Sequence, residues 1–248
     1  GQTRYVPGKG TPALQKAIQS KFIKDNNIEY SLDEIIVGVG GKHIIYNAMM
    51  ATLNPNDEVI IPAPFWVSYP DIVLLAEGKP IIVECPESQN FKITANQLEK
   101  SINERTKWLM LNSPSNPTGA VYSKSELKEL AEVLLKYPHV LIMSDDIYEK
   151  IIYDNLEFGT LASIEPRLKE RCLTLNGVSK AYCMTGWRLG YCGASKEIIA
   201  AMNKMQSQSN TSTSSISMAA AVEALEGSQE FIKEHNEAFV RRRDMVVS

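Results

Sequence analysis

The stretch CLTLNGVSKAYCMTGWRLGYCGA, residues 172–194, places two short apolar runs on either side of a more polar turn. The turn carries Lys180 and, eight residues later, Arg188, both among small or apolar neighbours. Lysine is rarely sheltered from water unless a partner or a reaction requires it there. The stretch therefore predicts two strands of a buried sheet, with a candidate functional lysine between them.

Apolar runs alternate with amphipathic helical patterns along the rest of the chain. Such alternation favours an α/β fold, doubly wound, with a mainly parallel central sheet and helices on both faces. A helix is predicted from Pro12, after a Thr11 cap, through Phe22, and another in DIYEKI, residues 146–151. Because no repeat or low-complexity linker divides the chain, residues 1–248 are expected to form one domain.

The composition argues against several classes of function. Of the 248 residues 44% are hydrophobic, and the net charge is −3 with a pI near 5.8. This balance excludes nucleic acid or an anionic membrane as the expected partner. No apolar run approaches the ~20 residues of a membrane span. The four cysteines lack zinc-ligand spacing, so we expect no metal and reduced thiols in a cytoplasmic enzyme.

Ligands of open α/β sheets bind beyond the carboxyl ends of the strands, and polar residues gather at several of those predicted ends. Gly40-Gly41-Lys42 follows the first strand and begins a helix, which suits an anion such as phosphate or is an ordinary tight turn. Trp66 could stack on a flat ring or fill the core. The amide of Asn116, in a proline-rich turn, could donate to a ring oxygen or brace the loop.

The later strand ends carry charged groups. Asp145 ends a buried strand, where it either meets a ligand or caps the next helix, and Tyr148 follows one helical turn later. Ser179 precedes Lys180, and Arg188 could hold a phosphate or pair with an internal carboxylate. Pyridoxal phosphate would use all these groups, because it has an aldehyde, a ring nitrogen, a phenolic oxygen, a ring face and a phosphate.

The motifs SPSNPTG, SDDIYE and SKAYCMTGWRLGY, in this order and spacing, resemble the class I aminotransferases of the aspartate aminotransferase family, which are pyridoxal-phosphate enzymes of fold type I. TRYVPGKG, VGGKHIIYNAM and PAPFWVSYP resemble the version in a bacterial branch of that family. The similarity extends over essentially the whole chain, and the lysine block is its most specific part.

The resemblance implies a role for each candidate. Lys180, Asp145 and Tyr148 are the expected catalytic residues: Lys180 attaches the cofactor aldehyde, and Asp145 keeps the ring nitrogen protonated. The expected cofactor-binding residues are Tyr5, Gly41, Lys42, Trp66, Asn116, Asp145, Tyr148, Ser179, Lys180 and Arg188. The expected substrate-binding residues are Lys42, Trp66 and Asn116, with Lys42 reaching a distal carboxylate.

The resemblance also implies a homodimer with shared active sites, because Tyr5 matches a tyrosine that reaches a neighbouring subunit's phosphate. The polar run SQSNTSTSS either lies at that interface or is a plain loop. The expected domain is the single large, cofactor-binding one. The family's N-terminal segment and small C-terminal domain are expected to be absent, together with the arginine that binds the substrate α-carboxylate.

The expected reaction converts L-aspartate and 2-oxoglutarate to oxaloacetate and L-glutamate, so the partners are a small amino acid and a 2-oxo acid. An aromatic or prephenate-type aminotransferase is the alternative. A lyase or synthase using the same cofactor also stays open, since the motifs are shared across the fold type. A third alternative is a fragment that binds the cofactor but is catalytically incomplete.

Overall fold

The computed structural model describes residues 3–248, and a seven-stranded sheet forms its centre. The strands are β1 (Ile35–Gly38), β2 (Glu58–Ala63), β3 (Lys79–Glu84), β4 (Thr106–Asn112), β5 (Leu141–Asp145), β6 (Cys172–Gly177) and β7 (Gly190–Gly193). Their order is β1-β7-β6-β5-β4-β2-β3, and β7 alone runs antiparallel to both of its neighbours. The predicted doubly wound, mainly parallel α/β sheet is therefore confirmed.

Helices cover both faces of this sheet. They are α1 (Pro12–Asn26), α2 (Gly41–Thr52), α3 (Ser68–Leu75), α4 (Ala95–Ser101), α5 (Lys124–Lys136), α6 (Leu161–Ile164), α7 (Lys196–Ser209), α8 (Ser215–Glu226) and α9 (Glu230–Val247). One apolar core joins the sheet to α2, α3 and α7, and a second joins it to α1, α4, α5 and α8. Strands β1, β6 and β7 are buried along their whole length, as expected for strands covered on both sides.

Among the helices of residues 3–248, none is both long enough and apolar enough to cross a membrane. Short 3₁₀ helices lie at Leu32–Glu34, Glu87–Gln89, Pro166–Arg171 and Thr185–Trp187.

Two local predictions differ from the structure, and one helix was not predicted. Helix α1 continues past Phe22 to Asn26 and ends where Asn27 adopts a left-handed conformation, which asparagine tolerates. The predicted helix over residues 146–151 is wrong, because this segment forms consecutive turns. Helix α7 was not predicted, although the Ser195 hydroxyl caps its start by accepting the Ile198 N–H.

Candidate active site

A cavity of about 180 Å³ opens where the carboxyl ends of β1, β2, β4, β5 and β6 meet. This is the edge at which parallel α/β sheets bind ligands. All the sequence-predicted residues except Tyr5 line the cavity: Gly41, Lys42, Trp66, Asn116, Asp145, Tyr148, Ser179, Lys180 and Arg188. The fold thus brings together groups that are separated by up to 147 positions in the chain (188 − 41).

Asp145, the last residue of β5, is a buried carboxylate with an incomplete set of donors. Tyr69 donates its hydroxyl to Asp145 Oδ2 at 2.6 Å, and the Ile147 N–H lies 3.3 Å from Oδ1. Burial raises the pKa of Asp145 to about 6, opposed by the Tyr69 and Ile147 hydrogen bonds and the charge of Lys180. A further cationic or N–H donor at this carboxylate would therefore be stabilising.

Asn112 braces the Asp145 end of the cavity. Its side-chain N–H donates to the Asp145 carbonyl at 2.8 Å, while its Oδ1 accepts the Asn116 main-chain N–H at 2.8 Å. The carboxyl end of β4 is thereby fixed to β5 and to the proline-rich turn. The side chain of Asn116 lines the cavity from that turn.

Lys180 lies in the turn that follows β6 and is half-buried. Its Nζ atom is 5.6 Å from the centroid of the Tyr148 ring. In the part of the chain that the structure describes, neither Lys180 nor Arg188 forms a salt bridge. Both cations therefore face the cavity with capacity for a ligand.

Arg188 and the start of α2 form the other end of the cavity. Arg188 donates to the Thr185 carbonyl at 2.9 Å and has a left-handed backbone conformation with φ of 51°. Gly40 caps α2 with φ of 82°, and a Cβ there would lie 2.4 Å from the Arg188 guanidinium. Glycine is thus required for the close approach of Arg188 to the N-terminus of α2 at Gly41. Arg188 and the free N–H groups at the start of α2 thus give this end of the cavity positive charge and hydrogen-bond donors, which suit an anion.

Trp66 and Lys42 form one wall of the cavity. The Lys42 Nζ atom lies 4.9 Å from the Trp66 ring centroid, and the indole meets the Tyr69 ring edge-on at 5.5 Å. Tyr69 therefore contacts both the aromatic wall and the buried carboxylate. Trp66 is half-buried, so part of its ring remains accessible from the cavity.

Tyr5 lies outside the cavity, with 92% of its side chain exposed. It lines a separate shallow pocket with Ser212, Thr213, Ser214 and Ser215. The polar run SQSNTSTSS combines the end of α7, a connecting turn and the first residue of α8. Within one chain, Tyr5 and this run are thus adjacent, and neither lines the cavity that contains Lys180.

The whole chain, residues 1–248, matches the model of the family described as aminotransferase class I and II. This chain belongs to that family. It is 55% identical over 248 residues to an aspartate aminotransferase of Rhizobium meliloti strain 1021, and 56% identical to an aspartate/prephenate aminotransferase of Cereibacter sphaeroides. All of this chain is covered in each comparison, but only 60% and 62% of those relatives.

A crystal structure of the aspartate aminotransferase from Rhizobium meliloti has the same fold, with a TM-score of 0.99 and 55% identity. The alignment covers 100% of this chain and 62% of that one. The chain therefore spans about three fifths of the length of the aminotransferases it matches.

Sequence reasoning missed three polar residues of this aminotransferase-family site. They are Tyr69, Asn112 and Thr185, each of which supports a predicted residue. The spacing of Trp66 and Tyr69, three residues apart, was a weak signal that both face one side. Nothing local links Tyr69 to Asp145, since 76 positions separate them.

Proposed function

We propose that the whole protein is a pyridoxal-phosphate-dependent aminotransferase, with L-aspartate and 2-oxoglutarate as its substrates and oxaloacetate and L-glutamate as its products. The observation that carries this proposal is the meeting of Lys180, the buried Asp145 and Arg188 around one cavity in a member of this family. Class I aminotransferases are generally dependent on this cofactor, and the donors around the cavity fit its functional groups.

Each end of the cavity suits one part of the cofactor. Asp145, with an incompletely satisfied buried carboxylate, would hold the protonated ring nitrogen. Arg188, the Gly41 N–H and the Ser179 hydroxyl would bind the phosphate. Lys180 would attach the aldehyde.

One face of the ring and the ring oxygen are assigned to three remaining residues. Trp66 would cover one face of the ring, and Tyr148 and Asn116 would donate to the ring oxygen. All three line the cavity between Asp145 and Arg188.

Bound pyridoxal phosphate supplies an electron-withdrawing ring that weakens the bonds at the amino-acid Cα. Lys180 Nζ would act as general base and then as general acid for the Cα proton. Asp145 keeps positive charge at the ring end, because its burial makes an unpartnered carboxylate costly. Tyr69 supports this role by fixing one oxygen of Asp145.

Lys42 is the proposed determinant for dicarboxylic substrates. It is the second residue of α2 and lies beside the Trp66 ring, from where its Nζ would meet the distal carboxylate of aspartate or glutamate. Trp66 and Asn116 complete the substrate side of the cavity. The name of the Rhizobium meliloti relative supports aspartate as the amino donor.

An aspartate/prephenate aminotransferase is the second candidate function. The relative from Cereibacter sphaeroides with that name is 56% identical, as similar as the aspartate enzyme. A prephenate-type substrate also bears a 2-oxo acid and a further carboxylate, so Lys42 would serve both reactions.

We further propose that residues 1–248 are the large, cofactor-binding domain of a cytoplasmic homodimer with shared sites. The exposed Tyr5 and the adjacent Ser212–Ser215 segment would contact the second subunit. The cysteines at positions 85, 172, 183 and 192 are all free, as expected for a reducing compartment.

The test is a steady-state assay of the full-length protein with aspartate and 2-oxoglutarate. We expect Lys180→Ala to abolish turnover and Lys128→Ala, an exposed lysine on α5, to leave it unchanged. Measuring kcat/KM for prephenate with the same protein separates the two candidates. Equal loss in both lysine variants, or full activity in Lys180→Ala, would overturn the proposal.

A further inference from the structure

A cysteine and a histidine form a pair outside the aminotransferase cavity. The Sγ atom of Cys183 lies 3.6 Å from Nδ1 of His235, and both side chains are exposed. They line a separate cavity of about 210 Å³ together with Arg242 and the apolar Ala238 and Phe239. A nucleophile, a base and a cation therefore share one accessible pocket.

The local structure fixes both members of the pair. Cys183 has a left-handed φ of 53°, and its N–H donates to the Lys180 carbonyl at 3.1 Å, closing the turn after the lysine. His235 lies on α9, where its ring meets the Phe231 ring edge-on at 5.5 Å. The ring of Phe231 in turn packs on Tyr182, with centroids 6.2 Å apart. The thiol and imidazole are thus held by separate elements.

The other three cysteines provide an internal contrast. Cys85, Cys172 and Cys192 are buried, and burial raises the pKa of each thiol, that of Cys172 to about 12. Thiolates, not thiols, attack electrophiles, so these three are expected to be inert in the folded protein. Cys183 is exposed and has a base within hydrogen-bonding distance.

We propose that Cys183 is a nucleophilic thiol, activated by His235, that reacts reversibly with low-molecular-weight disulfides carrying a carboxylate. The thiol proton passes to His235 Nδ1, and Sγ attacks one sulfur of the disulfide. A new S–S bond forms at Cys183, the original S–S bond breaks, and its electron pair leaves on the second sulfur. That sulfur takes the proton back from His235, so one small disulfide and one thiol become a mixed disulfide and a small thiol.

The positive charge of Arg242 in this pocket favours disulfides that carry a carboxylate. Arg242 lies on the same face of α9 as His235, seven residues and two turns further on. Its guanidinium can bind the carboxylate of an incoming disulfide while the imidazole acts on the thiol. Arg241, the neighbouring residue, does not line this pocket and provides a matched control.

The test is the reaction of the folded chain with 5,5′-dithiobis(2-nitrobenzoate), a disulfide with two carboxylates, followed by stopped-flow absorbance. One thiol of four should react in a fast phase, and Cys183→Ser should remove that phase. His235→Gln should slow it at least about tenfold. Peptide mass mapping after treatment with oxidised glutathione should place the mixed disulfide at Cys183.

The charge contribution is tested by comparing that probe with the uncharged 4,4′-dithiodipyridine. Arg242→Gln should slow the reaction of the dianionic probe about threefold or more relative to that of the uncharged probe. Arg241→Gln should have the same small effect on the rates of both probes. Circular dichroism should be the same for all variants. A fast phase that survives Cys183→Ser, or a rate unchanged in His235→Gln, overturns the proposal. Equal effects of Arg242→Gln on both probes overturn the preference for carboxylates.

Discussion

Replacing Tyr69 by phenylalanine tests how the chain controls the charge of Asp145. The Tyr69 hydroxyl is a fully buried donor, 2.6 Å from Asp145 Oδ2. It is the largest influence that lowers the pKa of Asp145 against the effect of burial, which raises that pKa to about 6. Tyr69→Phe removes the donor and keeps the ring, so burial then acts on Asp145 with less opposition.

The size of the effect follows from the hydrogen bond that is lost. A bond to a charged partner contributes about 1.5–3 kcal/mol, equivalent to about 1–2 pKa units. We therefore expect the pKa of Asp145 to rise from about 6 to about 7–8 in Tyr69→Phe. Half or more of the carboxyl groups would then be protonated at neutral pH, and a protonated carboxyl group is a poor partner for a protonated ring nitrogen.

The pH dependence of stability has a definite sign. The folded pKa of Asp145 is above the unfolded value of about 3.9, so the folded state binds more protons between pH 4 and 6. The contribution of Asp145 to stability is therefore greatest below about pH 4 and falls by about 3 kcal/mol as the pH rises through the folded pKa. In Tyr69→Phe this loss should extend to about pH 7–8.

The assay is ¹³C NMR of the side-chain carboxyl groups in aspartate-labelled protein without cofactor, titrated from acid to alkaline pH. Asp145→Asn assigns the resonance. Tyr122→Phe is a matched control, because it removes a different buried hydroxyl, one that accepts the Ile93 N–H at 2.8 Å. A midpoint for Asp145 that stays at its wild-type value, or falls, in Tyr69→Phe would refute the reasoning.

Three further changes have expected outcomes. Lys21→Met removes the cation paired with the buried Glu149, so the free energy of unfolding in urea should fall by about 3–5 kcal/mol. The double variant Lys21→Met/Glu149→Leu should recover most of that loss. A double variant as unstable as Lys21→Met would contradict the role of the buried ion pair. Gly190→Ala would place Cβ 2.5 Å from the Gly41 main-chain nitrogen at the start of α2, so we expect a clear fall in Tm by calorimetry. Gly186→Ala should change Tm little, because no atom lies within 4 Å of a Cβ at Gly186. Arg188→Gln should raise the Kd for pyridoxal phosphate about 10–100-fold in a fluorescence titration, and an unchanged Kd would remove Arg188 from the proposed phosphate site.

Strand and helix periodicity was sufficient to predict the fold. Every residue of β1 and β6 is buried, including Thr174 and Asn176 of β6, as a sheet covered on both faces requires. Helix α7 was missed because only Ala194 and Ser195 separate it from β7, too short a stretch to mark the change from strand to helix.

The segment after Asp145 shows why a local pattern can fail. Glu149 is buried and pairs with Lys21 of α1, and Asn26 donates to the same carboxylate at 2.8 Å across 123 positions. These long-range bonds favour consecutive turns over the predicted helix. Tyr148 nevertheless faces the cavity with Asp145, as the spacing had suggested.

The candidate site was predictable where a residue ends a strand or follows one within a few positions. Asp145 and Lys180 carry that signal, because a charged residue at the end of an apolar strand needs a partner. Tyr69 and Asn112 support Asp145 through bonds that depend on the packing of α3 and β4 against β5. Only the tertiary structure brings these groups together, so local sequence patterns could not predict these hydrogen bonds.

The most direct test of the central claim is to incubate this chain with pyridoxal phosphate, reduce it with borohydride and map the product by peptide mass spectrometry. The claim predicts one stable cofactor adduct, on Lys180, that is lost in Lys180→Ala and retained in Lys128→Ala. A cofactor that binds without becoming attached, or an adduct on another lysine that persists in Lys180→Ala, would contradict it.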